Sequence, residues 1–164
     1  MSKLVEIHIA ELFAGNDEFV ITTNGVGSCI IVLLYDKVAR IGGMAHAILP
    51  HAKLLEDEEG APLFDAEGRG FAKYADQAVD ALLKYVESLG GERKRLIAKL
   101  VGGARMFALL EGDKYGIGWR NTEAAREKLS ELGIPIETEV TGGTVGRNVR
   151  FDCATGIAEI VTKV

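Results

Sequence analysis

Along the chain the apolar positions change period several times, and each change predicts an element. "FVITT" (19–23) is β-branched and aromatic and predicts a strand running into the loop Asn24 to Ser28. "CIIVLLY" (29–35) is apolar without alternation, the pattern of a strand covered on both faces, and "RIGGMAHAIL" (40–49) predicts a third strand ended by Pro50. Only "DKVA" (36–39) separates these two, so they are expected to pair antiparallel as a hairpin. Pairing symmetric about Lys37 and Val38 sets residues opposite one another when their numbers sum to 75, as those of Cys29 and His46 do. Opposed side chains share a face with Cβ atoms about 4.5 to 5.5 Å apart, which would bring the sulfur within reach of the imidazole. A glycine bulge at Gly42 and Gly43 would slip that register by one and turn His46 to the other face.

Residues 51–70 are acidic and aperiodic and read as a long surface loop. Helical spacing then runs from Phe71 to Leu89 and stops at Gly90. "RLIAKLVGGA" (95–104) predicts a buried strand opening into a glycine loop, and 106–121 a short helix and a turn. A second helix is expected over 122–132, with Asn121 as its N-cap and Gly133 as its end. "PIETEVTGG" (135–143) and a hairpin within 148–164 complete the strands, while His8 in "EIHIAE" falls on the polar side of a first one. The sum is an α+β fold in a single domain spanning 1–164, a packed sheet core with two helices laid on it.

Composition narrows the function classes. With 48% hydrophobic and 26% charged residues the chain has the balance of a soluble globular protein. No apolar run approaches the roughly 18 to 20 residues of a membrane span, and the acidic N-terminal stretch is unlike a signal peptide. Cytoplasmic localisation without membrane insertion is therefore expected. A net charge of −5 with no dense Lys and Arg cluster argues against a nucleic-acid partner. The two cysteines are too few for a disulfide framework and lack zinc-site spacing, and neither a metal nor a cofactor is expected. Glycine stands out at 20 residues, many in doublets, consistent with backbone-built loops around a site or with tight turns.

Cys29 behind "GVGS" has exposed backbone beside it and little bulk in front. As a nucleophile it would be activated by an imidazolium that lowers the thiol pKa, with its own amide and another from Gly27 and Ser28 holding an oxyanion, and His46 returning the proton to the leaving group. The competing reading of both residues is a small buried hydrophobe and a hydrogen-bonded structural histidine. Cys153, in the turn "DCATG", reads as structural; His51 at the loop edge reads as a solvated residue, with action on substrate the alternative.

"GVGSC" with Cys29, "GGMAHAILP" with His46, "KYAD" (73–76), "KLVGGARMF" (99–107), "IGWRN" (117–121) and "TGG" (141–143) together resemble the chemoreceptor glutamine deamidases, the CheD family. The resemblance implies a fold similar to that of deamidating-toxin cysteine hydrolases, a β-sandwich with helices outside the sheets. It implies a catalytic set of Thr23, Cys29 and His46, with Thr22 an adjacent competitor for the threonine role. The implied reaction is conversion of specific glutamine side chains on the cytoplasmic domain of chemoreceptors to glutamate through a Cys-His thioester. A CheC-type phosphatase is the implied second partner. A regulatory module that engages this phosphatase through Met106 and Phe107 with little turnover remains the alternative, and plain core packing the competing role for those two residues. A cysteine protease would share the nucleophile and differ in the bond cut. The acidic segment 51–70 is longer than expected for the family and bears on substrate choice.

Overall fold

The computed structural model describes residues 2–52, 70–106 and 116–163. Among the described residues, ten strands form two sheets. The first sheet has four strands in the order β1 (Lys3–Glu6), β3 (Phe19–Val26), β9 (Arg147–Asp152), β10 (Ile157–Thr162). The second has six, in the order β6 (Gly70–Phe71), β2 (Glu11–Gly15), β5 (Ile41–Ala47), β4 (Ile30–Asp36), β7 (Ile97–Gly102), β8 (Ile136–Thr141). Two helices, α1 (Ala75–Ser88) and α2 (Gly116–Glu131), pack against the six-stranded sheet on the face turned away from the first sheet. The molecule is thus α+β in three layers, and the helices cover one sheet.

β4 explains why its sequence lacks alternation. Ile31, Leu33 and Tyr35 point into the core between the sheets with Ile21, Met44 and Phe151, whereas Ile30, Val32 and Leu34 point into the core under the helices. Both faces are buried, so both must be apolar. The apolar stripe of α1, Ala75, Ala78, Val79, Leu82, Leu83 and Val86, is fully consumed by that second core.

The β4–β5 hairpin departs from the expected register. The ladder runs from Ile30 opposite Ala47 to Asp36 opposite Ile41, so opposed residues sum to 77 and the connection is 37–40. Asp36 causes the shift by staying in the strand. Its carboxylate is buried, accepts from the amides of Val38, Ala39 and Glu92, and pairs with Arg95 at 2.9 Å. His46 therefore lies opposite Ile31 rather than Cys29. A shift of two in the sum preserves the face, and His46 still points into the inter-sheet core where Cys29 lies. Gly42 and Gly43 form no bulge within this ladder. A Cβ there would lie 2.8 Å from Phe151 and 2.6 Å from Leu82, so these glycines let the two cores close on β5.

Two other expectations change. α2 begins at Gly116, which puts Asn121 inside the helix and not at its cap. The helix expected from Phe71 begins at Ala75, because Gly70 and Phe71 pair with β2. Most of the segment 51–70, most of the short helix and turn expected over 106–121, and Phe107 lie outside the described residues.

Candidate active site

Three elements from two sheets deliver the site. Thr23 comes from β3 in the four-stranded sheet and His46 from β5 in the six-stranded sheet, and Cys29 sits in the connection 27–29 that carries the chain from one sheet to the other. Alternation along β3 decides between the threonines: Thr23 shares the inward face with Ile21 and is fully buried, and Thr22 is not.

The Thr23 hydroxyl donates to the Ile7 carbonyl at 2.9 Å and lies 2.7 Å from His46 Nδ1. A hydroxyl has one proton, and a carbonyl can only accept. The proton therefore goes to Ile7, and Nδ1 must be the donor to the threonine oxygen. That fixes the tautomer: Nδ1 carries hydrogen and Nε2 carries a lone pair. Nε2 is buried and has no partner among the described residues. An unoccupied basic nitrogen thus stands in the inter-sheet core on the face that Cys29 shares.

Burial dominates the electrostatics. His46 is 1% exposed, and burial, with a smaller contribution from the nearby charge of His8, pushes its pKa down to about 4. Burial likewise pushes the Cys29 thiol up, opposed in part by its own backbone amide. Burial thus favours the neutral thiol and the neutral imidazole over the ion pair expected from the sequence. Cys153 is fully buried between the sheets and pushed up to about 12, chiefly by burial, which suits a structural role. Both cysteines are free.

Every carbonyl of the Cys29 loop is tied into the fold. Gly27 O accepts from Ala104 N at 2.9 Å, Cys29 O from Gly103 N at 2.7 Å, and Ser28 O from Asn121 Nδ2 at 2.9 Å. These bonds hold the backbone of the loop in place. Gly102 and Gly103 are required for this, with φ of +117° and +62° and added Cβ atoms falling 2.3 Å from Cys29 O and 2.1 Å from Thr122 Oγ1. Behind them, Arg147 donates to Gly102 O and Gly142 O, and Gly142 N donates to Gly102 O, which links the "TGG" block to the loop that supports Cys29. Met106 is 39% exposed and packs on Gly27, where an added Cβ would be 3.1 Å from its Cγ. Among the described residues no cluster of three His, Cys, Asp or Glu could hold a metal, and no helix is long and apolar enough to cross a membrane.

The structure brings Thr23 against His46 and sets Cys29 in the same inter-sheet core, whereas the structural parts of Asn121 and Arg147 have no counterpart among the sequence expectations. The signal for Asn121 was its place in "IGWRN", masked by its reading as a helix cap; Arg147 carried none.

A family model described as CheD chemotactic sensory transduction matches residues 64–162, well over half of the chain. The chain belongs to the CheD family. A probable chemoreceptor glutamine deamidase CheD of Pyrococcus abyssi is 40% identical over 156 residues, covering 95% of this chain and 90% of the relative. The chemoreceptor glutamine deamidase CheD of Halalkalibacterium halodurans is 42% identical over 153 residues, covering 93% and 89%. A second probable CheD deamidase, from Geobacter metallireducens, is 42% identical over 159 residues, 96% of this chain and 92% of the relative. Whereas the family model begins beyond His46, these CheD relatives align with nearly the whole chain. A Neisseria meningitidis protein of family model DUF152 is a more distant likeness, with TM-score 0.49 and 12% identity over 94% of this chain and 71% of its own.

Proposed function

We propose that the protein hydrolyses specific glutamine side-chain amides on the cytoplasmic domain of chemoreceptors to glutamate, with Cys29 as nucleophile, His46 as general base and acid, and Thr23 as its orienting partner; the names of its relatives, chemoreceptor glutamine deamidase, support the substrate and the reaction. The observation that carries this reading is the tautomer of His46, whose Nδ1–H is held by Thr23 and whose Nε2 is left as a buried acceptor.

The steps follow from those groups. Nε2 takes the thiol proton as Sγ attacks the carboxamide carbon, and the C=O bond opens to an oxyanion held by the amide of Cys29 and a second amide of the Gly27–Ser28 loop. The imidazolium, stabilised through Nδ1–H by the Thr23 oxygen, gives its proton to the nitrogen, which leaves as ammonia. A thioester remains. Water then attacks it with His46 as base, and collapse releases glutamate while the imidazolium returns a proton to Sγ. A neutral resting pair suits this order, since the thiolate forms only with substrate present to use it.

Mass spectrometry of a chemoreceptor cytoplasmic fragment incubated with the protein tests the reading. Glutamine-to-glutamate conversion with ammonia release, lost in Cys29→Ala, supports it; peptide cleavage in place of ammonia would make the chain a protease instead.

Met106 supports the second partner. An exposed methionine packed on Gly27 lies beside the nucleophile loop, so a CheC-type phosphatase seated there would cover Cys29 and regulate turnover in the cytoplasm. Met106→Glu is expected to lose that binding while the protein stays folded.

A further inference from the structure

The β4–β5 ladder ends at Ile30 opposite Ala47, and the next residues in each direction, Cys29 and Ile48, belong to the candidate active site and its border. Strands that part at a ladder end leave carbonyls to be satisfied. At this end a single side chain takes over. Asn121 Nδ2 donates to Ser28 O at 2.9 Å and to Ile48 O at 3.0 Å, and so bridges the residue before the nucleophile and the strand that carries His46. Two carbonyl acceptors fix the orientation of the amide, because only the NH2 end can face them. Oδ1 must then face away, and it is fully buried with no partner among the described residues.

That orphaned acceptor speaks against a stabilising role. A buried acceptor without a donor is costly, and an apolar side chain would fill the same helix position without that cost. What an apolar side chain could not do is hold two backbone segments at a set distance. The carrier is equally fixed: α2 is seated on the glycine loop so closely that a Cβ on Gly118 would lie 2.4 Å from Ala104 O.

We propose that Asn121 is a positioning residue that sets the gap between Cys29 and His46 by bridging Ser28 O and Ile48 O. The kinetic half of its test rests on the deamidase function proposed above; the chemical half rests only on His46 acting as a base toward the Cys29 thiol, whatever the substrate. In the chemical half, Cys29 alkylation by iodoacetamide at neutral pH is timed in the natural protein, Asn121→Ala, His46→Ala and the double variant. Because His46 serves as base for the thiol, misalignment should slow alkylation about tenfold where His46 is present, and less than about twofold where it is absent. In the kinetic half, Asn121→Ala should lower kcat for receptor deamidation about 100-fold with KM within about threefold. Asn121→Ser, which keeps a donor able to reach one carbonyl, should fall between, and replaces Asn121→Ala throughout if circular dichroism shows that variant unfolded.

Equal slowing of alkylation in both His46 backgrounds overturns the proposal, since a general loosening of the fold would act without His46. Coupling through His46 with no turnover by the natural protein would leave Asn121 as proposed and refute the deamidase reading. Turnover by the natural protein without coupling would do the reverse.

Discussion

Thr23 has one proton to give, and that proton goes to Ile7. Everything proposed for His46 depends on this, so Thr23→Val, which keeps the volume and removes the oxygen, is expected to lower kcat roughly 10- to 100-fold, less than the 10²–10⁴ often attributed to a whole general base. Thr22→Val should leave kcat unchanged, which a simple activity assay decides. The neutral pair makes a second prediction. Thiolate absorbance in the ultraviolet, taken as the difference between the natural protein and Cys29→Ala, should rise only at alkaline pH, above the usual thiol range; a thiolate present near pH 6 would mean an ion pair instead. His46 also leaves a mark on stability. Between the ordinary histidine pKa of 6.5 and the folded value of about 4, the unfolded chain binds a proton that the folded chain refuses. Stability therefore falls as pH drops through that window, by about 3 kcal/mol in all, and is unaffected by this group above it. Denaturant unfolding of His46→Gln across the same window should lose that part of the slope.

At the scale of elements, the glycines near Cys29 act as contact surfaces. Gly118→Ala should drive a methyl group into the carbonyls of Gly103 and Ala104, lift α2, and cost about 1 to 3 kcal/mol by thermal or denaturant unfolding. Activity should fall more than stability, since α2 carries Asn121 and the loop beneath it holds Cys29. The hairpin shows what the sequence could and could not reveal. Its existence, its strands and the shared face of Cys29 and His46 follow from apolar pattern and turn length. Its register does not, because Asp36 reads as a turn residue until Arg95, 59 positions away, is seen to hold its carboxylate. The same limit applies to Asn121, which is a fair cap by local rules; its two acceptors are 93 and 73 positions distant. Local pattern gives periodicity and parity, whereas long-range polar contacts decide the final residue or two.

Over the whole molecule, the candidate site lies across the seam of the sandwich. Thr23 and His46 meet only because two sheets pack face to face, and the seam is filled by Phe151, fully buried and edge-on to Tyr35 with ring centroids 5.8 Å apart. Phe151→Ala is expected to cost about 3 to 5 kcal/mol and, in the fraction that remains folded, to reduce turnover by loosening the Thr23–His46 bond; unchanged kcat in a destabilised variant would show the seam to be independent of the site. That the site joins both sheets also explains why the blocks that support it are scattered: Gly103 and Ala104, Asn121, and Gly142 through Gly102 each tie into the backbone around Cys29. In the proposed mechanism Cys29 forms a thioester with a receptor glutamine. The most direct test is to quench the protein with a chemoreceptor cytoplasmic fragment within the first turnover and weigh the peptide that contains Cys29. An adduct of the substrate less ammonia is expected on Cys29, absent from Cys29→Ala, followed by glutamate at the same receptor position. Glutamate formed at full rate by Cys29→Ala, with no covalent species in the natural protein, would contradict that mechanism.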